Sequence, residues 1–111
     1  MEIVIYKRSR SFNLEKTDAI KTEALFDKHG KKLVNFVVLQ LYYGNNNTYQ
    51  IKKHDFSHGI YNIHNYYEKL NHKQEFPEEP LSNELFWRCK QDIKENWFYY
   101  RERYRKKHLQ I

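Results

Sequence analysis

The feature that most restricts the fold is the run Leu33-Val34-Asn35-Phe36-Val37-Val38-Leu39-Gln40-Leu41-Tyr42-Tyr43. Its β-branched and aromatic residues favour a strand. Apolar side chains on both faces predict a central place in a sheet, covered on each side at least in part. Gly44-Asn45-Asn46-Asn47 follows, made of residues that tolerate positive φ, so the chain turns there. Tyr49-Gln50-Ile51-Lys52-Lys53-His54 then returns as the antiparallel partner.

The remaining segments arrange themselves around this hairpin. Glu2 to Tyr6 reads as a first strand, with Lys7-Arg8-Ser9-Arg10 as its basic exit. Leu14 to Asp27 suits either an alternating strand or a short helix before a strand. A strand over Ile20 to Lys28 is favoured, because His29-Gly30-Lys31 reads as a turn into the central strand. Ile60 to Tyr66 alternates and suits one more short strand, with a helical turn as the alternative. Residues 71–81 contain Phe76-Pro77-Glu78-Glu79-Pro80, an acidic linker whose prolines stop regular structure.

Ser82 or Asn83 caps a helix over 82–109, in which Phe86, Cys89, Ile93, Trp97, Tyr100 and Tyr104 form one stripe at spacings of three or four. The expected fold is therefore α+β, one domain over residues 1–111. An antiparallel sheet of four to five strands occupies residues 1–67, with the long C-terminal helix packed on one face.

Composition narrows the class. At 111 residues, with 40% hydrophobic and 17% aromatic content and only three glycines and two prolines, the chain can build a modest core and is not of disordered type. Twenty Lys and Arg against fourteen Asp and Glu leave a net charge of +6. That charge attracts polyanions, RNA or DNA foremost, and an acidic protein equally well. The single cysteine, Cys89, allows no internal disulfide and fits a reducing compartment. The start carries Glu2 and has its basic residues after the apolar stretch, unlike a signal peptide. No apolar run is long enough to span a bilayer as a helix. The expected location is cytoplasmic, with no membrane association.

The densest chemistry is His54-Asp55-Phe56-Ser57-His58-Gly59, with His64 five residues later; three of the six histidines fall within eleven residues. On a strand that leads into a turn, His54 and Asp55 point to opposite sides. Asp55 and His58 stand three apart across a turn closed by Gly59, where Asp55 could hold the His58 ring in one tautomer while His64 returns on the next strand. Beside Arg or Lys, such a set suits RNA cleavage without metal or cofactor. A base takes the 2′-hydroxyl proton, an acid protonates the leaving oxygen and a cation steadies the phosphorane charge. Three His and one Asp could instead complete a metal's ligand set, although the spacing matches no established zinc pattern. The third reading is structural: Asp55 caps a turn, Ser57 bonds local backbone and the histidines are solvated.

These residues, together with the strand pair and its Gly/Asn turn, resemble the TumE-type toxins of toxin–antitoxin modules over Val34 to His64. Phe56 stands where that family usually has Asn. The resemblance implies a small α+β toxin acting on RNA, paired with an acidic or DNA-binding antitoxin protein encoded beside it. Asp55, His58 and His64 are the positions it carries over as catalytic.

Cations elsewhere are candidates for nucleic-acid contact: Arg8 and Arg10 after the first strand, and Arg101, Arg105, Lys106 and Lys107 in the helix tail. Phosphates favour such cations through counterion release, and bases stack on rings like Trp97 to Tyr100. The bland alternatives are charges protecting a sheet edge and cations complementing a helix dipole. Cys89 lies on the apolar stripe and is expected to be a buried thiol, not a nucleophile.

Overall fold

A computed structural model describes residues 6–70 and 72–109. It contains β1 (Tyr6–Glu15), β2 (Asp18–Phe26), β3 (Leu33–Gly44), β4 (Asn47–Asp55), β5 (Tyr61–Asn65), β6 (Lys73–Phe76) and α1 (Asn83–Tyr104), which widens into a π-helical turn over Arg105–Leu109. The strands form one antiparallel meander in the order β1 to β6, with β3 inside it. The α+β class, the antiparallel sheet and the C-terminal helix are as expected. Among the described residues the count is six strands, not four to five.

Both surplus features have physical causes. Lys7 to Arg10, expected to leave the sheet, runs within β1, because an edge strand tolerates charges that a central one cannot bury. The part of the expected first strand over 2–5 lies outside the described residues. β6 occupies what reads as an acidic linker. Its four residues are all exposed, and pairing with β5, with the Phe76 ring 5.4 Å from that of Tyr61, holds them in line. The prolines follow it, at 77 and 80.

β2 ends at Phe26, earlier than Lys28. The Asp27 carboxylate accepts the backbone N–H groups of His29 (3.2 Å), Lys31 (3.0 Å) and Lys32 (3.3 Å), turning the chain there, with Gly30 at φ 68°. Asn45 and Asn46 both take positive φ, 52° and 61°, in the tight turn between β3 and β4.

α1 begins at Ser82, whose hydroxyl oxygen accepts the Leu85 N–H at 3.0 Å. Leu85, Cys89, Ile93 and Tyr100 face the sheet, where Ile20, Ala24, Phe36, Val38, Phe56 and Tyr61 receive most of them. Phe86 and Trp97 flank that core, half-buried. In β4 the pairing skips Ile51: Gln40 opposes Lys52 while Leu41 opposes Gln50. This bulge turns two neighbours toward the helix. Ile51 joins Tyr67 and Tyr100 in a second cluster, and Lys52 reaches an α1 carboxylate. No element among the described residues covers the other face, where Val37 and Leu39 are half-buried. Among the described residues no helix is long and apolar enough to cross a membrane.

Ile93 is fully buried, so Ile93→Ala should lower the unfolding free energy by about 2–5 kcal/mol. Trp87→Ala, on the outer helix face at 56% exposure, should change it by less than about 0.5 kcal/mol. Denaturant titration of both variants checks the packing of α1.

Candidate functional site

The sheet separates the residues that are neighbours in sequence. Lys52, His54 and Phe56 face α1, whereas Lys53 and Asp55 face the open side together with Asn62 and His64 of β5. Asp55 is buried, and its Oδ1 accepts from the Ser57 backbone N–H (2.7 Å) and hydroxyl (2.5 Å). Burial alone would raise its pKa, but the Ser57 bonds with Lys53 and His58 outweigh it and hold the carboxyl below its ordinary value. Lys53 Nζ lies 3.6 Å from Oδ2.

His58 is exposed in the turn before Gly59, which takes φ 84°. The carboxylate thus holds Ser57, and no hydrogen bond joins it to the His58 ring. His64 stands opposite Lys53 and stacks beside Tyr66 and His72, at 5.5 and 5.9 Å. Burial and the cations of Lys53 and Lys73 lower its pKa, with Asp55 opposing. The structure therefore brings Asp55 and His64 to one face and leaves His58 at its rim. Among the described residues no group of three or more His, Cys, Asp or Glu forms a metal-ligand set.

Beneath α1 lies a polar network that the sequence pattern does not announce. Asp92 Oδ2 receives His54 Nε2 at 2.8 Å and Lys52 Nζ at 2.9 Å, while Oδ1 accepts the Tyr100 hydroxyl at 2.5 Å and the Asn96 amide at 3.2 Å. Burial works against the charge, but these donors hold the Asp92 carboxyl far below the usual range. Burial keeps His54 neutral, lowering its pKa despite Asp92.

The tautomer follows. A carboxylate can only accept, so His54 Nε2 carries the proton and Nδ1 accepts the Tyr61 hydroxyl at 2.7 Å. The Cys89 thiol donates to the Tyr61 oxygen at 3.5 Å, completing the chain Cys89–Tyr61–His54–Asp92. Burial raises the thiol to about 11, which suits a buried donor and not a nucleophile. His54 and Lys52 are almost wholly enclosed, so this network ties β4 to α1. Its one sequence signal is a carboxylate, Asp92, beside Ile93 on the buried helix stripe.

The tail cations are largely spent within the molecule. Arg101 Nε lies 3.7 Å from buried Asp18 and 3.4 Å from Glu102; Arg105 pairs with Glu102 at 3.0 Å and Lys107 with Glu68 at 2.9 Å. Lys106 is exposed. A different arrangement surrounds Arg8 and Arg10. With Phe12, Phe26, Phe86 and Lys90 they line a cavity of about 280 Å³ between β1, β2 and α1.

Arg8 lies over the Phe26 ring at 5.1 Å, Lys90 over Phe86 at 4.3 Å and Lys94 over Phe12 at 5.7 Å. A ring orients a cation without cancelling its charge. Among the described residues no carboxylate comes within 4.0 Å of Arg8, Arg10, Lys90 or Lys94. Lys90 registers the crowding: burial, then Lys94 and Arg10, depress its pKa.

A six-stranded antiparallel meander backed by one helix, with a cation-lined groove at its β1 edge, is the architecture to be placed among known proteins. The model of the family described as Domain of unknown function (DUF7718) matches residues 7–110, and the chain belongs to that family. Comparison with curated proteins and with solved structures finds no match.

The neutral state of His54 has a measurable consequence. Its ordinary pKa is 6.5 and its folded value is lower, so the unfolded chain takes up a proton that the native state refuses. Stability is full above about pH 6.5 and falls as the pH drops from there toward the folded value. Denaturant titrations between about pH 7.5 and about pH 4.5 should show this fall. In His54→Gln it should shrink to the part contributed by His64, whose pKa is also lowered. An unchanged slope would mean that His54 binds protons equally in the folded and the unfolded chain, and a steeper fall in the variant would mean that it is charged in the fold.

Proposed function

We propose that this chain is an RNA-binding module whose contact surface is the groove between β1, β2 and α1. The observation that carries the reading is that Arg8, Arg10 and Lys90 line a single cavity, with Lys94 reaching over its Phe12 ring, and that no carboxylate among the described residues neutralises them; Arg8, Lys90 and Lys94 are each held over an aromatic ring. Folding ordinarily brings carboxylates to such cations, as Glu102 and Glu68 are brought to the tail. A groove that keeps its positive charge is suited to an anionic chain, whose bound counterions are released on contact. The aromatic walls favour a ligand with flat faces as well as charge, which a nucleic acid supplies and an acidic peptide does not. The resemblance to TumE-type toxins supports the same ligand class and adds a neighbouring antitoxin as partner.

A second reading, RNA cleavage, has one observation in its favour: Asp55, Lys53 and His64 share the open face in adjacent register, close enough for Asp55 to raise the His64 pKa against its burial. In it His64 and His58 exchange protons with the 2′-hydroxyl and the leaving oxygen, and Lys53 meets the phosphate.

Two measurements separate the readings. Fluorescence anisotropy with a labelled oligouridylate should show the Arg8→Ala/Arg10→Ala/Lys90→Ala variant losing affinity at low salt, with its log–log salt slope reduced by about 2, near 0.7 per lost phosphate contact. Wild-type binding by that variant would sink the groove. For cleavage, end-labelled RNA incubated with wild-type protein should yield fragments that the His58→Ala/His64→Ala variant does not produce, while binding persists. Intact RNA in both lanes would remove the catalytic reading and leave the module a binder.

A further inference from the structure

Strand geometry in β1 adds a constraint on the ligand. Side chains two apart share a face, so Tyr6, Arg8, Arg10 and Phe12 project from one side of the strand as ring, cation, cation, ring. Successive members stand about 6.6 Å apart, and the row spans about 20 Å. This side faces the helix: Arg8, Arg10 and Phe12 line the 280 Å³ cavity with Phe86 and Lys90 of α1. Tyr6, Arg8 and Phe26 border an adjoining cavity of about 580 Å³ with Lys28 and His29. The two cavities share Arg8 and Phe26 and so form one continuous track.

The opposite wall adds cations at helical spacing. Phe86 and Lys90 of α1 line the cavity, and Lys94, one turn on, lies over the Phe12 ring at 5.7 Å. Both terminal rings of the β1 row are open, Tyr6 at 55% exposure and Phe12 at 41%. Duplex RNA hides its base faces and offers only backbone and groove edges, whereas a single strand can present phosphates and flat bases in alternation.

Resting on the RNA-binding reading, we infer that the track takes a single-stranded nucleic acid extended along β1. Arg8 and Arg10 meet successive phosphates, Lys90 and Lys94 flank them from α1, and Tyr6 and Phe12 stack the bases at either end. The site holds about four nucleotides, the small end of the range for single-strand grooves.

The test compares ligands on unmodified protein before any substitution. Labelled dodecamer oligouridylate, an RNA hairpin of equal phosphate number and a polyglutamate of equal charge are titrated at one salt concentration. Single-strand binding at least about tenfold tighter than either competitor is expected, since stacking contributes roughly that factor per base. The Tyr6→Ala/Phe12→Ala variant should lose about tenfold or more for the single strand, with the salt slope unchanged, because no phosphate contact is removed. Equal binding of the hairpin, or of polyglutamate, overturns the single-strand inference while the charged groove stands. A failure of all three ligands to bind overturns both.

Discussion

The structure depends on one carboxylate. Asp92 sits between β4 and α1 and gathers the donors that would otherwise make this contact unfavourable: the His54 ring, the Lys52 ammonium and the Tyr100 hydroxyl. A lysine enclosed beneath a helix needs a counter-charge, and a buried imidazole needs an acceptor for its proton. Asp92 meets both needs at once. The charge pair is balanced only while His54 stays neutral, which burial ensures. Lys52 also lies 4.0 Å from the Tyr100 ring centre, and Tyr67 stacks on that ring at 5.1 Å, so the polar tie is continuous with the second apolar cluster. Gln40 makes a parallel connection, donating to the Trp97 carbonyl at 2.9 Å.

Fixing α1 over β2, β3 and β4 determines what the rest of the molecule can present. Among the described residues one helix covers one face, so the Asp55 side of the sheet stays open there and the even-numbered side of β1 is left along the helix flank. The groove forms there because β1 extends past the area that α1 can cover. Its side chains are neither solvated singly nor buried. Aromatic rings give Arg8, Lys90 and Lys94 fixed positions without neutralising them, whereas Arg101, Arg105 and Lys107 are drawn into carboxylates nearby. Two sets of cations of similar density in the sequence thereby acquire opposite electrostatic roles.

Several features are readable from local chemistry. The run from Leu33 to Tyr43 with its asparagine turn specifies the central hairpin, because apolarity on both faces and positive φ leave few alternatives. Ser82 and the stripe through Cys89 and Ile93 locate the helix for similarly local reasons. Alternation on a strand correctly separates His54 from Asp55. The segments that mislead are those whose conformation comes from a neighbour. Lys73 to Phe76 is exposed and mostly polar and becomes a strand by pairing with β5, while the bulge at Ile51 turns both Ile51 and Lys52 toward the helix, which simple alternation does not foresee.

By itself the sequence determined the class of fold, the net positive charge, the tight turn between the two central strands and the start of the helix. Each of these follows from side-chain period, backbone preference and simple counting within a short window. Only the tertiary structure decided which cations keep their charge, which histidine is enclosed and that Asp92, not Asp55, holds an imidazole. Those outcomes depend on partners dozens of residues away, such as Asp92 for His54 and Glu68 for Lys107, and an energy set by contact and burial is absent until the chain has brought the partners together.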